Sequence, residues 1–160
     1  KRTFAEGPVA LVTNLLKGVI ERGTAAAARS LGLSGVAGKT GTTSNYKDAW
    51  FAGFTPQFLS LVWTGFDDNT PMQMSGARAA LPIWIAFMKK ILPYTVQDFA
   101  FPKSIVQVNI DPLTGGLATR QCPKTFTEYF IEGTEPTFPC PHGEGKIFSP
   151  KGQGGKEESF

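Results

Sequence analysis

The stretch GKTGTT, residues 38–43, places one cation, three hydroxyls and two glycines in six consecutive positions. It follows the small apolar residues GVA at 35–37, and the run 42–54 is rich in Thr, Gly and aromatic residues without a helical period. This pattern predicts a strand and turn rather than a helix. Glycine at 41 has no side chain, so the backbone there can be approached closely.

A Gly-Lys-Thr core also occurs in phosphate-binding loops. Those loops require G-x-x-x-x-G-K-[ST] and a helix that opens at the lysine. Here Leu33 occupies the first glycine position, and no helical pattern follows Lys39. The sequence therefore argues against a nucleotide site.

Working outward, the apolar spacing predicts two helices before the motif, three consecutive antiparallel strands and one helix after them. Gly23 and Gly32 should end the first two helices, and Pro56-Gln57 suits a hairpin turn. The first helix should follow Glu6-Gly7-Pro8 and place the apolar residues 11, 12, 15, 16, 19 and 20 on one face. The predicted ranges are 25–31 for the second helix, 35–43, 49–55 and 58–66 for the strands, and 82–92 for the last helix.

Prolines recur after residue 93, and only 104–110 alternates like a short strand. The segment 149–160, SPKGQGGKEESF, lacks the apolar residues needed to fold and is predicted to be disordered. We therefore expect a domain at 1–93, an extended Pro-rich appendage at 94–148 and a disordered tail at 149–160.

The net charge of +3 arises from 16 basic and 13 acidic residues without a basic run, which argues against nucleic-acid binding. The longest apolar stretch, 49–66, is interrupted by Gly53, Pro56 and Gln57, so we expect no membrane span. The chain begins at Lys1 without a signal sequence, and we expect a piece truncated at its N-terminus.

Several segments resemble the C-terminal part of the transpeptidase domain of class A penicillin-binding proteins, which are bifunctional peptidoglycan synthases. The resemblance covers about residues 8–143. The segments that carry it are VIERGT at 19–24, GKTGTTSNYKDAWFAGFTP at 38–56, LPIW at 81–84, IDPLTG at 110–115, CP at 122–123 and GTEP at 133–136.

The resemblance implies an α+β, β-lactamase/transpeptidase-like fold in which helices flank an antiparallel sheet. It also implies acyl transfer: a serine outside this chain attacks the D-Ala-D-Ala donor, and an amine of a neighbouring stem peptide accepts the acyl group. β-Lactams would trap that serine, and no metal or organic cofactor is implied. The longer protein would carry a glycosyltransferase domain and an N-terminal membrane anchor. It would lie on the periplasmic face of the bacterial inner membrane.

In this family Lys-Thr-Gly is the third motif, after S-x-x-K and an S-x-N type motif. The resemblance implies that Lys39 and the Thr42 N–H act in catalysis. Thr40, Gly41, Thr42 and Thr43 would bind substrate, with the hydroxyls near its carboxylate. Since strand side chains alternate, we expect Thr40 and Thr42 to face the cleft and Lys39 to reach it over the strand's edge.

Two other stretches have the residue types of functional motifs. Ser44-Asn45-Tyr46-Lys47 fits S-x-x-K, but that motif needs a helix to bring Lys one turn from Ser, and a turn is predicted here. Asp67-Asp68-Asn69 pairs two carboxylates without further ligands, so we interpret it as an exposed turn and predict no metal site.

Cys122 and Cys140, with His142, are too few for a structural zinc site. In the extracytoplasmic compartment that the resemblance implies, a disulfide suits them better. His142 lies in a Pro/Gly-rich stretch, which is typical of a surface residue.

Two alternative functions remain open. A serine β-lactamase or D,D-carboxypeptidase shares the third motif, although the tail after residue 93 argues against both. The other alternative is a module that binds β-lactams or peptidoglycan without turnover. The fate of the acyl group discriminates among these functions: a transpeptidase transfers it to an amine, a β-lactamase or carboxypeptidase transfers it to water, and a binding module keeps it.

The first prediction concerns the 160-residue chain by itself. Since Ser44 is poorly placed as a nucleophile and no S-x-N tripeptide occurs, a fluorescent penicillin should leave the chain unlabelled. Gel fluorescence after denaturation measures this, and covalent labelling at Ser44 would contradict it.

Overall fold

The computed structural model describes residues 3–92 and 96–141. The chain divides into two compact units between Ile105 and Val106, and each is described by itself. Pro93, His142 and the tail 149–160 lie outside the described residues. The domain bounds 1–93, 94–148 and 149–160 remain predictions.

Four helical segments occur among the described residues of the first unit. Helix α1 is Glu6–Glu21 and α2 is Ala80–Ile91, and two 3-10 segments are Ala26–Leu31 and the short turn Ser44–Tyr46. Gly32 ends the 3-10 helix in the left-handed region at φ 70°, which glycine adopts readily. The helix predicted at 25–31 is therefore 3-10 rather than α, as is common for short connecting segments.

The sheet of the first unit has the order β1-β2-β3, with β1 at Ala37–Thr42, β2 at Asp48–Phe54 and β3 at Leu59–Gly65. Both pairings are antiparallel. The β2–β3 hairpin closes with a hydrogen bond from the Thr55 N–H to the Phe58 carbonyl, 2.8 Å long. These elements confirm the predicted α+β class and the three consecutive antiparallel strands.

The core lies between the sheet and α2. Phe51 on β2 and Trp84 on α2 are fully buried and meet edge to face, with ring centroids 5.0 Å apart. A Cβ added at Gly53 would lie 2.5 Å from the Trp84 ring, and one at Gly38 would lie 2.7 Å from the Phe51 ring. Because Gly38 and Gly53 are paired across the two strands, they form the gap into which both rings fit.

The opposite face of the sheet is apolar and exposed in this chain. Trp50 pairs with Trp63, and Ala52 pairs with Leu61, so their side chains share that face. Leu59 and Leu61 are 76% and 57% exposed. None of the helices among residues 3–92 and 96–141 combines the length and hydropathy of a membrane span.

The second unit contains a two-stranded sheet, and it corrects the sequence-based expectation. Strand β4, Ile105–Ile110, matches the predicted strand, but β5, Phe126–Ile131, pairs with it and was not predicted. The expectation of a single strand was wrong because FTEYFI does not alternate polar and apolar residues. Its aromatic and β-branched residues favour a strand once a partner is available.

Polar and covalent contacts hold this unit. Asp111 is 1% exposed, and its carboxylate accepts hydrogen bonds from the Thr114 hydroxyl at 2.7 Å and the Leu113 N–H at 3.2 Å. Cys122 and Cys140 are joined by a disulfide, with Cα atoms 6.6 Å apart. Among the described residues 106–141, only Asp111, Gly116 and Cys140 are buried, so these contacts stabilise a unit with little apolar core.

The second prediction concerns this disulfide. The bond spans a sequence separation of 18. Breaking it should therefore lower the free energy of unfolding by about 3 kcal/mol in the chain-entropy model. Denaturation with and without reductant measures the loss, and the Cys122→Ser/Cys140→Ser double variant should be insensitive to reductant. A peptide mass that shows two free thiols after oxidative folding would contradict the pairing.

Candidate functional site

The motif GKTGTT lies on β1, which is an edge strand of the described sheet, and continues into the turn at Thr43. Lys39 is exposed, and its ammonium donates a hydrogen bond to the Thr40 carbonyl at 2.8 Å. The cation therefore lies along its own strand. Its flexible stem leaves it able to reach a ligand beside that edge.

The strand register separates the motif residues into two sets. Thr40 and Thr42 pair with Phe51 and Ala49, so both threonines lie on the face that α2 covers. Lys39 and Gly41 share the opposite face, as the alternation predicts. A Cβ at Gly41 would lie 3.1 Å from Trp50 Cβ, so glycine avoids crowding of the paired tryptophan.

Both threonine hydroxyls already have a partner. Thr40 Oγ1 lies 2.8 Å from Thr24 Oγ1, in the segment that follows α1. Thr42 Oγ1 accepts the Gly76 N–H at 3.0 Å, and an added Cβ at Gly76 would collide with the carbonyls of Gly41 and Trp50. A hydroxyl that accepts one bond can still donate its own proton, so Thr42 is held in place without losing its donor.

A further cluster fixes the turn after the motif. The Thr43 hydroxyl accepts the Asp48 N–H at 2.8 Å and donates to the Asp48 carboxylate at 3.2 Å. The other oxygen of that carboxylate accepts the Trp63 indole N–H at 2.9 Å. Asp48 therefore ties the end of β1 to β3 across the whole sheet.

The Trp63 side chain lies along β3 beside Gly65, with its indole N–H directed at Asp48. A Cβ at Gly65 would lie 2.7 Å from that ring, so glycine provides the space. Trp63 also contacts Trp50, with ring centroids 6.1 Å apart. Trp50 in turn pairs with Gly41 on β1, so Thr43, Asp48, Trp63 and Trp50 form one connected set of contacts beside the motif.

The two other pattern matches take no part in this arrangement. Ser44–Tyr46 is a short 3-10 turn, and Asn45 has a left-handed backbone at φ 61°. Ser44 and Lys47 are therefore not one α-helical turn apart on a regular helix. At Asp68, hydrogen bonds from the Thr70 backbone N–H and hydroxyl lower the pKa of the carboxyl, and in the described part of the chain no group of three or more His, Cys, Asp and Glu side chains could hold a metal ion.

Sequence reasoning did not identify Thr24, Asp48, Trp63 or Gly76 as neighbours of the motif. The pattern offers a signal only for Gly76, which lies in a Gly/Ala-rich stretch before α2. The other three reach the motif through turns and strand register, and neither is visible in one sequence. Lys39, Thr40, Gly41, Thr42 and Thr43 lie together because they are consecutive.

Residues 101–144 match the family model "Penicillin-binding protein 1A, C-terminal domain". Penicillin-binding protein 1A of Aquifex aeolicus (strain VF5) is 42% identical over 130 residues, which cover 79% of this chain and 18% of that protein. The protein of the same name from Escherichia coli (strain K12) is 40% identical over 144 residues, covering 79% and 17%.

A crystal structure of penicillin-binding protein 1A from Haemophilus influenzae matches with a TM-score of 0.75 at 35% identity. The match covers 86% of this chain and 22% of that one. The α+β fold is therefore the transpeptidase-like fold that the family resemblance implied. The chain spans about a fifth of the length of the relatives it matches.

The third prediction tests the contact between Asp48 and Trp63. Asp48→Ala and Trp63→Phe each remove the indole hydrogen bond, so the two effects on the free energy of unfolding should not add. We expect a coupling of about 1 kcal/mol, since the acceptor is charged but only partly buried. Chemical denaturation of the single and double variants measures it.

Asp67→Ala combined with Trp63→Phe is the control. Asp67 is an exposed aspartate, and in the described part of the chain the hydrogen bond of the Trp63 indole goes to Asp48 instead. This pair should be additive. Additivity of the Asp48 pair as well would contradict the bridge between β1 and β3.

Proposed function

Since this chain belongs to the penicillin-binding protein 1A family, we propose that it supplies the third-motif strand of a serine-type D,D-transpeptidase that cross-links peptidoglycan. The observation that carries the proposal is the position of GKTGTT on an edge strand, with Lys39 and Thr42 exposed. An unpaired strand edge can receive an extended peptide through backbone hydrogen bonds. A stem peptide is such a ligand.

Each motif residue has a role in this proposal. Lys39 supplies positive potential and belongs to the proton network, while Thr40 and Thr42 donate hydroxyl hydrogen bonds to the substrate carboxylate. The Thr42 N–H stabilises the oxyanion, and Gly41 lets the substrate lie against the strand. Thr43 supports the turn through its contacts with Asp48.

The reaction begins when a serine outside this chain attacks the carbonyl between the two D-Ala residues of a donor stem peptide. The amide bond breaks, D-Ala leaves with the serine proton, and an acyl-enzyme ester remains. An amine of an acceptor stem peptide then attacks the ester carbonyl and forms a new amide bond, while the ester bond breaks and a proton of the amine returns to the serine oxygen. A β-lactam undergoes only the first step. Its ring opens when the serine attacks, but no fragment leaves, so the acceptor amine has no room to attack the ester.

The longer protein follows from the same proposal. It would be a peptidoglycan synthase with a glycosyltransferase domain, anchored in the bacterial inner membrane with this domain on the periplasmic face. Its partners would be stem peptides and β-lactams, and its product would be cell wall. The disulfide between Cys122 and Cys140 supports this location, since such bonds persist in oxidising compartments.

The fourth prediction uses the full-length protein. Thr40→Val should keep the fold and slow acylation by penicillin, because one donor to the carboxylate is lost. Lys39→Ala should also slow acylation, with little change in melting temperature, since an exposed lysine contributes little to packing. Each loss should correspond to about 2–4 kcal/mol of transition-state stabilisation, measured as the second-order rate of labelling by a fluorescent penicillin.

Thr13→Val and Lys89→Ala are matched controls, because the Thr13 hydroxyl donates to the Val9 carbonyl within α1 and Lys89 is exposed on α2. They should acylate at the parental rate. If Lys39→Ala or Thr40→Val acylated as fast as these controls, or failed only through unfolding, the motif would be structural and the proposed function would lose its support.

A further inference from the structure

The hydroxyl of Thr24 forms a hydrogen bond with the hydroxyl of Thr40, a motif residue on the face that α2 covers. The other hydrogen bond to a motif side chain on that face, among the described residues, comes from the Gly76 backbone N–H. Thr24 Oγ1 lies 2.8 Å from Thr40 Oγ1. Thr24 is exposed and Thr40 is half-buried, so solvent or a ligand can reach the pair. The two residues are 16 positions apart, with Thr24 in the turn after α1 and Thr40 on β1.

The end of α1 fixes the position of Thr24. The Arg22 N–H bonds to the Gly18 carbonyl at 3.0 Å, and the Ala25 N–H reaches back to the Val19 carbonyl at 3.1 Å. A Cβ at Gly23 would lie 2.8 Å from Val19 Cα, so this tight turn needs glycine. Ala25 is fully buried directly after Thr24, which anchors the backbone while the threonine stays exposed.

The direction of the hydrogen bond between the two hydroxyls determines what Thr40 can do. Each hydroxyl has one proton to donate and two lone pairs. If Thr40 donates to Thr24, its proton is not directed at a ligand. If Thr24 donates to Thr40, the Thr40 proton is available to an anion, and the first bond strengthens the second because chains of hydrogen bonds polarise one another.

We propose that Thr24 is a positioning residue for carboxylate recognition, which donates its proton to Thr40 so that Thr40 donates to the substrate carboxylate. This inference rests on the proposed function, in which Thr40 contacts that carboxylate. Thr24 makes the site selective for donors with a free carboxylate over esters or amides at the same position. A neutral ester oxygen is a weaker acceptor and gains less from a polarised hydroxyl.

A purely structural role for Thr24 makes a different prediction. The bond between the hydroxyls would then only hold the turn after α1 against β1. Its loss would lower stability and slow all acylating compounds by the same factor, whether or not they carry a carboxylate.

The test uses the full-length protein, with a fluorescent penicillin and its methyl ester as the two probes. Thr24→Val should slow acylation by the free acid about three- to tenfold, the range for loss of one neutral hydrogen bond, and leave the ester rate almost unchanged. Thr24→Ser should restore the free-acid rate, because the hydroxyl returns. In a Thr40→Val background, Thr24→Val should have no further effect, because its acceptor is already absent.

The outcomes separate the two proposals. A parental rate for Thr40→Val would overturn the proposed function and this inference with it. A slow Thr40→Val together with a parental rate for Thr24→Val would overturn only the inference. Equal slowing of acid and ester by Thr24→Val would also overturn it, in favour of a structural role; if that variant does not fold, Thr24→Ala is compared with Thr24→Ser by the same ratio of rates.

Discussion

The contact between Phe51 on β2 and Trp84 on α2 is the constraint on which the rest of the first unit depends. Both rings are fully buried, and they fit only because the paired glycines at 38 and 53 leave a gap in the sheet. Each buried aromatic side chain removes a large apolar area from water, and such residues dominate the energetics of protein cores. The position of α2, and with it the loop that leads to α2, follows from this packing.

The same packing shows that the two glycines of GKTGTT have different roles. Gly38 faces α2 and admits the Phe51 ring, whereas Gly41 lies on the opposite face beside Trp50. Between them, Lys39 and Thr40 point to opposite faces of the strand. One short stretch thus anchors an edge strand in the core and leaves polar groups at its surface, a combination that suits a strand which must be rigid and also meet a ligand.

Polar contacts from distant segments then hold the motif's side chains. Thr24 reaches Thr40 from the end of α1, Gly76 reaches Thr42 from the loop before α2, and Asp48 reaches Thr43 across the turn. Each contact leaves the threonine hydroxyl with further hydrogen-bonding capacity. The arrangement restricts the rotamers of the three threonines and leaves the Thr42 hydroxyl its own proton to donate, and this reduces the ordering needed when a ligand binds.

The sequence by itself determined the order of the helices and strands in the first unit and the segment that carries the motif, because helical and strand periods and glycine stops are local properties. It did not distinguish the 3-10 helix Ala26–Leu31 from an α-helix. It did not reveal β5, whose residues do not alternate and which becomes a strand by pairing with β4. Nor did it reveal Thr24, Asp48 or Gly76 beside the motif. Only the tertiary structure decided these, because register, turn geometry and helix packing bring together residues that no sequence spacing relates.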